Sequence, residues 1–187
     1  MADIMRQKAA KTAANGFIVV ERIYRHSYQT LMALKDKLKT DFDLRAESPL
    51  HSNPTITADP KSWLHLFRGL YLAKTKVTLE GYKKEKVPLL FLQASLYNSN
   101  AQEPILRFGI VEDIFNMTPL KGALFDAYFR ATLARLHAEA KPGKIRASNC
   151  EAKVRFDEMH LLDIREDEDI ATLAQEIGQK YAKLLLS

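Results

Sequence analysis

The sequence predicts an α+β fold, in which an antiparallel three-stranded meander and a fourth strand after a helical crossover are packed by three helices. Two observations predict it. An apolar stripe of helical period lies near the start of the chain, and three segments of extended character follow with short turns between them. Segregated runs of helix and antiparallel strand are typical of the α+β class. The length of 187 residues, 47% apolar and 27% charged, fits one globular domain.

A long N-terminal helix is predicted over residues 15–41, because apolar side chains recur there at steps of three and four. The stripe comprises Phe17, Val20, Tyr24, Tyr28, Leu31, Leu34, Leu38 and Phe42. At 1.5 Å per residue this helix is about 40 Å long, which is long for a small domain. We expect it to cross the sheet, or its surplus length to project and form a homodimer with a second copy. Residues 1–13 are predicted to be a flexible basic leader before a single α+β domain over 14–187.

The meander is predicted from three extended segments separated by turns. An irregular Pro-rich connection (42–61) and a short helix that ends at Phe67 precede it. The predicted strands are Leu70–Leu79, Val87–Tyr97 and Pro104–Ile114.

A second helix is predicted from Thr118–Pro119, where an N-cap residue is followed by proline at the first helical position, to Lys141. The next extended segment covers residues 144–164. We expect a bulge near Asp157–Glu158, because the apolar positions change face there. After a helical crossover this strand can pair parallel to a strand of the meander. The last helix begins in the acidic segment 165–169.

The sequence lacks the residues that several kinds of structural and functional site would need. The single cysteine, Cys150, excludes an intramolecular disulfide and a cysteine-based zinc cluster. No apolar run approaches the roughly 20 residues of a membrane-spanning helix, and no secretory signal is found, so we predict a cytoplasmic protein without a membrane partner. The five histidines lack metal-ligand spacing and glycine-rich phosphate loops are absent, so neither a metal site nor a cofactor is predicted.

The net charge of +5 is concentrated in one segment, residues 68–86, which carries six cations and two acids. Much of this segment is predicted to form a basic β-hairpin with Tyr82 at its tip. The predicted contacts to an anionic partner are Lys74, Lys76, Lys83, Lys84 and Lys86. A basic ribbon with an aromatic tip can lie on a nucleic-acid backbone. The alternative is a solvated edge hairpin, whose lysines prevent edge-to-edge aggregation.

A second candidate site lies where the middle strand becomes polar. If the turn after it centres near Asn100, Gln93 lies opposite Arg107, with Ser95 and Tyr97 on the same face. An arginine among amide and hydroxyl groups can bind an anion or a small polar ligand. The alternative is an exposed face of an ordinary antiparallel sheet.

The leading interpretation is a binding or regulatory module without catalytic activity, whose partner is nucleic acid or an acidic protein. Two other functions remain open. The order of helices and strands is shared with restriction-endonuclease-like nucleases, but the second and third strands lack the carboxylates that would hold Mg²⁺. A divergent metal-dependent nuclease or hydrolase would need Glu21, Asp113 and Glu151 to converge. A small-molecule sensor would need a cavity between the sheet and the helix that begins at Thr118.

Overall fold

The computed structural model describes residues 2–46, 50–51, 67–74, 88–96, 103–112, 132–137, 142–147 and 150–185. These residues confirm the predicted α+β class. They form α-helices α1 (Ala2–Phe42), α2 (132–137) and α3 (Asp167–Tyr181). Their strands are β1 (Arg45–Ala46), β2 (Leu50–His51), β3 (Phe67–Ala73), β4 (Leu89–Ser95), β5 (Ile105–Glu112), β6 (Gly143–Ala147) and β7 (Cys150–His160). No helix of the described chain is long and apolar enough to span a bilayer.

The strands form one antiparallel sheet in the order β1-β3-β4-β5-β7-β6, with β2 also paired to β3. The meander β3–β4–β5 is confirmed. The predicted fourth strand is instead a hairpin of β6 and β7, and β7 pairs antiparallel with β5. The expected parallel pairing is therefore wrong. The chain enters along β6, in the direction of β5, and then reverses, which places the returning strand β7 between them.

The bulge expected near Asp157–Glu158 is also wrong. The β5–β7 ladder continues without interruption through the pairs Phe108↔Asp157 and Arg107↔Glu158. The change of face in the sequence has another cause. Val154 is buried on one face of β7, whereas Met159, on the other face, packs against the core under α1 and α3, so the strand changes its apolar contacts along its length without a bulge.

Helix α1 starts at Ala2, well before the predicted start near residue 15. The residues before Asn15 are rich in alanine, lysine, arginine, glutamine and methionine, which are strong helix formers. The predicted leader is therefore part of α1. Every side chain from Met5 to Val19 is exposed, whereas Leu31, Leu34 and Leu38 are buried. We call residues 2–22 the arm; at 1.5 Å per residue they extend about 30 Å.

The sheet lies between two layers of helix. The C-terminal half of α1 and the whole of α3 cover one face, whose core includes Leu70, Leu92 and Ile110. Helix α2 covers the other face, where Leu133 and Leu136 are buried. This second contact is close, since a Cβ added at Gly69 would lie only 2.7 Å from the Leu133 Cδ1 atom.

Candidate functional site

Of the predicted lysine contacts, Lys74 lies within the described residues; Lys76, Lys83, Lys84 and Lys86 lie outside them. Lys74 follows β3 and is half-buried. Its Nζ atom donates a hydrogen bond to the Phe42 carbonyl oxygen at 2.6 Å. A lysine at the carboxyl end of a helix satisfies an orphan carbonyl and offsets the negative end of the helix dipole. Lys74 therefore joins the end of β3 to the end of α1. The rest of the basic segment, residues 75–86, follows it in the sequence.

Arg68, the first cation of the same segment, lies against two tyrosines of α1. Its guanidinium carbon is 5.5 Å from the ring centroid of Tyr24 and 5.6 Å from that of Tyr28. Both distances suit cation–π attraction. The Arg68 Nε atom is buried without a hydrogen-bond partner, and the structure gives Arg68 no carboxylate partner among the described residues. Tyr28 is 45% exposed, so this tyrosine–arginine surface (Tyr24, Tyr28 and Arg68) reaches solvent.

Sequence reasoning counted Arg68 among the basic residues but missed its tyrosine partners. The sequence pattern places Tyr24 and Tyr28 in the apolar stripe that packs on the sheet. A usable signal was present, because tyrosines four residues apart lie on one side of a helix, where a leucine-zipper or core stripe would favour leucine. That spacing alone gives no indication of which strand lies beside them.

The second predicted site is a row of polar side chains across the sheet. Gln93 pairs with Arg107, as predicted, and Arg107 pairs with Glu158 on the next strand. The Gln93, Ser95 and Arg107 side chains are nearly fully buried, at 0%, 3% and 1% exposure. The exposed-face alternative is therefore wrong, because α2 covers this part of the sheet. Tyr97 lies outside the described residues, and the ligand role of the row stays a prediction.

Arg107 is the centre of a hydrogen-bond network. Its Nε atom donates to Glu158 Oε2 at 3.1 Å, and its Nη1 atom donates to Ser95 Oγ at 2.9 Å. Ser95 Oγ in turn lies 3.1 Å from Nδ1 of His137 on α2. An arginine can only donate, so the serine oxygen accepts from it and its single proton is free to donate to His137. The serine oxygen has a second lone pair, so the same contact also admits the reverse direction, with Nδ1–H of His137 as the donor.

The environment of His137 favours its neutral form. Burial, and secondly the nearby positive charge of Arg107, lower the pKa of His137 from 6.5 to about 4. Both effects disfavour the imidazolium, since one removes water and the other adds a like charge. His137 is therefore neutral at pH 7.

Gln93 completes the row, and only one of the two polar atoms of its side-chain amide has a hydrogen-bond partner. Its Nε2 atom donates to the Leu133 carbonyl oxygen at 2.7 Å, which ties the sheet to α2. Its Oε1 atom is buried without a hydrogen-bond partner. An unpaired buried acceptor of this kind costs about 1–3 kcal/mol. The Arg107 network (Gln93, Ser95, Arg107, His137 and Glu158) thus holds two layers together with polar contacts and retains one free acceptor.

The carboxylates that a metal-dependent nuclease would need are not brought together in the described chain. No group of three or more histidine, cysteine, aspartate or glutamate side chains among the described residues could hold a metal ion. Glu21 forms an ion pair with Arg25 on the exposed part of α1. Asp113 and the Glu151 side chain lie outside the described residues.

Comparison with protein-family models, with curated proteins and with solved structures finds no match to this chain. The residues themselves therefore carry the functional argument.

Proposed function

We propose that the protein is a binding module, without catalytic chemistry of its own, that contacts single-stranded nucleic acid through the tyrosine–arginine surface and the basic segment 68–86. The observation that carries the proposal is Arg68, a cation without an acidic partner in the described chain that lies over two tyrosine rings. Arginine beside aromatic rings suits a ligand that offers both negative charge and flat π surfaces, and nucleic acid is such a ligand.

The charge distribution supports the same partner. Residues 68–86 carry a net charge of +4, whereas the whole chain carries +5. Lysine contacts to phosphates release condensed counterions and supply affinity without sequence preference. Stacking on the exposed tyrosine would add a contribution that does not depend on charge. An acidic protein would meet the lysines equally well, but it would have less use for the tyrosines.

The test is a salt titration of binding to labelled single-stranded DNA and RNA, followed by fluorescence anisotropy. We expect the logarithm of the association constant to fall linearly with the logarithm of salt concentration. The Lys83→Ala/Lys84→Ala/Lys86→Ala variant should lower that slope by about 2, at about 0.7 per lost phosphate contact. Tyr28→Ala should weaken binding by roughly tenfold at every salt concentration and leave the slope unchanged, because base stacking carries no counterion release.

Matched controls separate this surface from general charge. A variant with Lys39, Lys144 and Lys153 changed to alanine loses the same three charges from exposed positions elsewhere, and it should bind as the wild type does. Equal loss in both triple variants would show that only net charge matters. Absence of binding, or a salt slope that Lys83, Lys84 and Lys86 do not affect, would overturn the proposal. Binding to acidic peptides but not to nucleic acid would reassign the partner.

A further inference from the structure

The arm carries a positive charge that its own domain does not use. Residues 2–13 contain three cations and one acid, a net charge of +2. Arg6, Lys8 and Lys11 are exposed, and the structure gives none of them an ion pair within the described chain. The arm also exposes large apolar side chains, with Phe17 75% exposed, Val19 55% and Ile18 46%. At about 100° per residue, Ile18 and Val19 lie beside Lys8, Lys11 and Arg22, whereas Phe17 lies on the opposite side of the helix. Exposed apolar side chains beside unpaired charge are typical of an interaction site.

An acidic groove lies at the other end of the same helix. It is an open cavity of about 430 Å³ between α1 and the first turn of α3. Ala33 and Ile170 supply apolar lining. The charged residues of its lining are Asp36, Lys37, Asp41 and Asp167, which sum to −2. The groove therefore has the opposite charge to the arm, and it has apolar surface against which a helix can pack.

The arm and the groove share one face of α1. Steps of three and four residues along the helix connect the basic and apolar residues of the arm to Ala33 and Asp36 of the groove. These arm residues are Lys8, Lys11, Ile18 and Arg22. Because α1 is continuous over Ala2–Phe42, positions at these steps lie on the same side of it. This side is basic and apolar in the first half of the helix and acidic in the second. Two such helices are complementary when they lie antiparallel.

We propose that the arm of one copy docks in the groove of a second copy, and that the second arm docks reciprocally in the first, so that two α1 helices form an antiparallel homodimer. The arrangement is isologous, since both copies present the same two surfaces and the symmetry closes after two. It covers Ile18 and Val19, which the arm's own domain leaves exposed. The proposal does not depend on nucleic-acid binding, because it uses neither the tyrosine–arginine surface nor residues 74–86.

The reciprocal geometry permits a charge-swap test in the full-length protein. The variant Lys8→Glu/Lys11→Glu reverses the charge of the arm at two positions. The variant Asp36→Lys/Asp41→Lys does the same in the groove. All four positions are exposed, so the helix itself should be retained. Analytical ultracentrifugation should show a dimer for the wild type, with dissociation promoted by salt. Each variant alone should dimerise at least about tenfold more weakly, because both of its contacts become repulsive.

Mixing the two variants should restore the dimer. In the mixed species the acidic arm meets the basic groove, and the unchanged basic arm meets the unchanged acidic groove, so both contacts are attractive. A control with Lys39→Glu and Lys144→Glu makes the same change in charge away from this face and should dimerise as the wild type does. Far-ultraviolet circular dichroism verifies that each variant is folded. A monomeric wild type, a dimer that survives either reversal, or a mixture that stays monomeric would overturn the proposal.

Discussion

The two faces of the sheet are both buried, but different interactions hold their helices. The face under α1 and α3 is a cluster of leucine, isoleucine and aromatic side chains, joined by the edge contact of Phe108 with Tyr181. The face under α2 contains a fully buried arginine and depends on directed hydrogen bonds through Ser95 and Gln93. Apolar contacts have no preferred direction and no dependence on pH, whereas the polar network fails if one partner is lost or changes its protonation state. The comparison predicts different responses to mutation and to acid.

The largest effect is expected on the apolar face. Leu92 is fully buried in that core, so Leu92→Ala removes buried methyl groups and leaves a cavity. The free energy of unfolding should fall by about 2–5 kcal/mol, measured by urea denaturation. Leu92→Met, which nearly conserves volume, should cost less than about 1.5 kcal/mol. If the two substitutions cost the same, the core is not packed as described.

A smaller effect is expected from the polar face. Ser95→Ala deprives both Arg107 Nη1 and His137 Nδ1 of their partner, and should lower the free energy of unfolding by about 1–3 kcal/mol. Ser27→Ala is a matched control, because Ser27 is equally buried but its hydroxyl donates to Tyr24 O within its own helix. That change should cost less than about 0.5 kcal/mol, since helix backbone bonding already satisfies this carbonyl. Equal costs would remove the distinction between the two faces.

A third effect is a loss of stability between pH 6.5 and 4, which we expect from His137 on the polar face. The pKa of His137 is lowered to about 4 in the folded protein from 6.5, so the unfolded chain binds the proton more readily. The stability from this group is complete above pH 6.5 and is lost as pH falls from 6.5 toward 4. We expect a loss of at most about 3 kcal/mol over that interval, at 1.36 kcal/mol per pKa unit. His137→Gln should flatten the curve, and His160→Gln, at an exposed position, should not. A curve that His137→Gln leaves unchanged would contradict the assigned environment.

The apolar face was more predictable from sequence than the polar one. The long helix, the meander and the Gln93–Arg107 register follow from periodicity and turn length, which act between neighbours in the chain. The burial of Arg107 does not, because it depends on a helix some 25–30 residues further on that covers the strand. The β6–β7 hairpin escaped prediction because its reversal, between Ala147 and Cys150, is too short to separate two strands in the sequence pattern.

The site residues divide in the same way. Charge clustering in residues 68–86 is a property of the sequence, and it identified Arg68 as part of a basic segment. The pairing of Arg68 with Tyr24 and Tyr28 is a property of the fold, since Arg68 lies 44 and 40 positions after them in the sequence. The acidic groove likewise needs Asp167 and Asp36 to meet across two helices. Patterns in a single sequence indicate which residues lie along one helix or strand. A site assembled from two elements can be predicted only when it is known how those elements pack together.

The ladder between β5 and β7 has a kinetic consequence. Strands β3, β4 and β5 are neighbours both in the chain and in the sheet, so each can pair with the next one, and the same holds for β6 and β7. The eight paired positions from Ile105↔His160 to Glu112↔Lys153 instead close a loop whose strand ends, Glu112 and Cys150, lie far apart in the chain. Closing such a loop costs chain entropy before any contact compensates for it, and non-local pairing of this kind slows folding. The last hairpin should therefore dock late, and the open edge of β5 is the part of the sheet that nascent molecules expose longest.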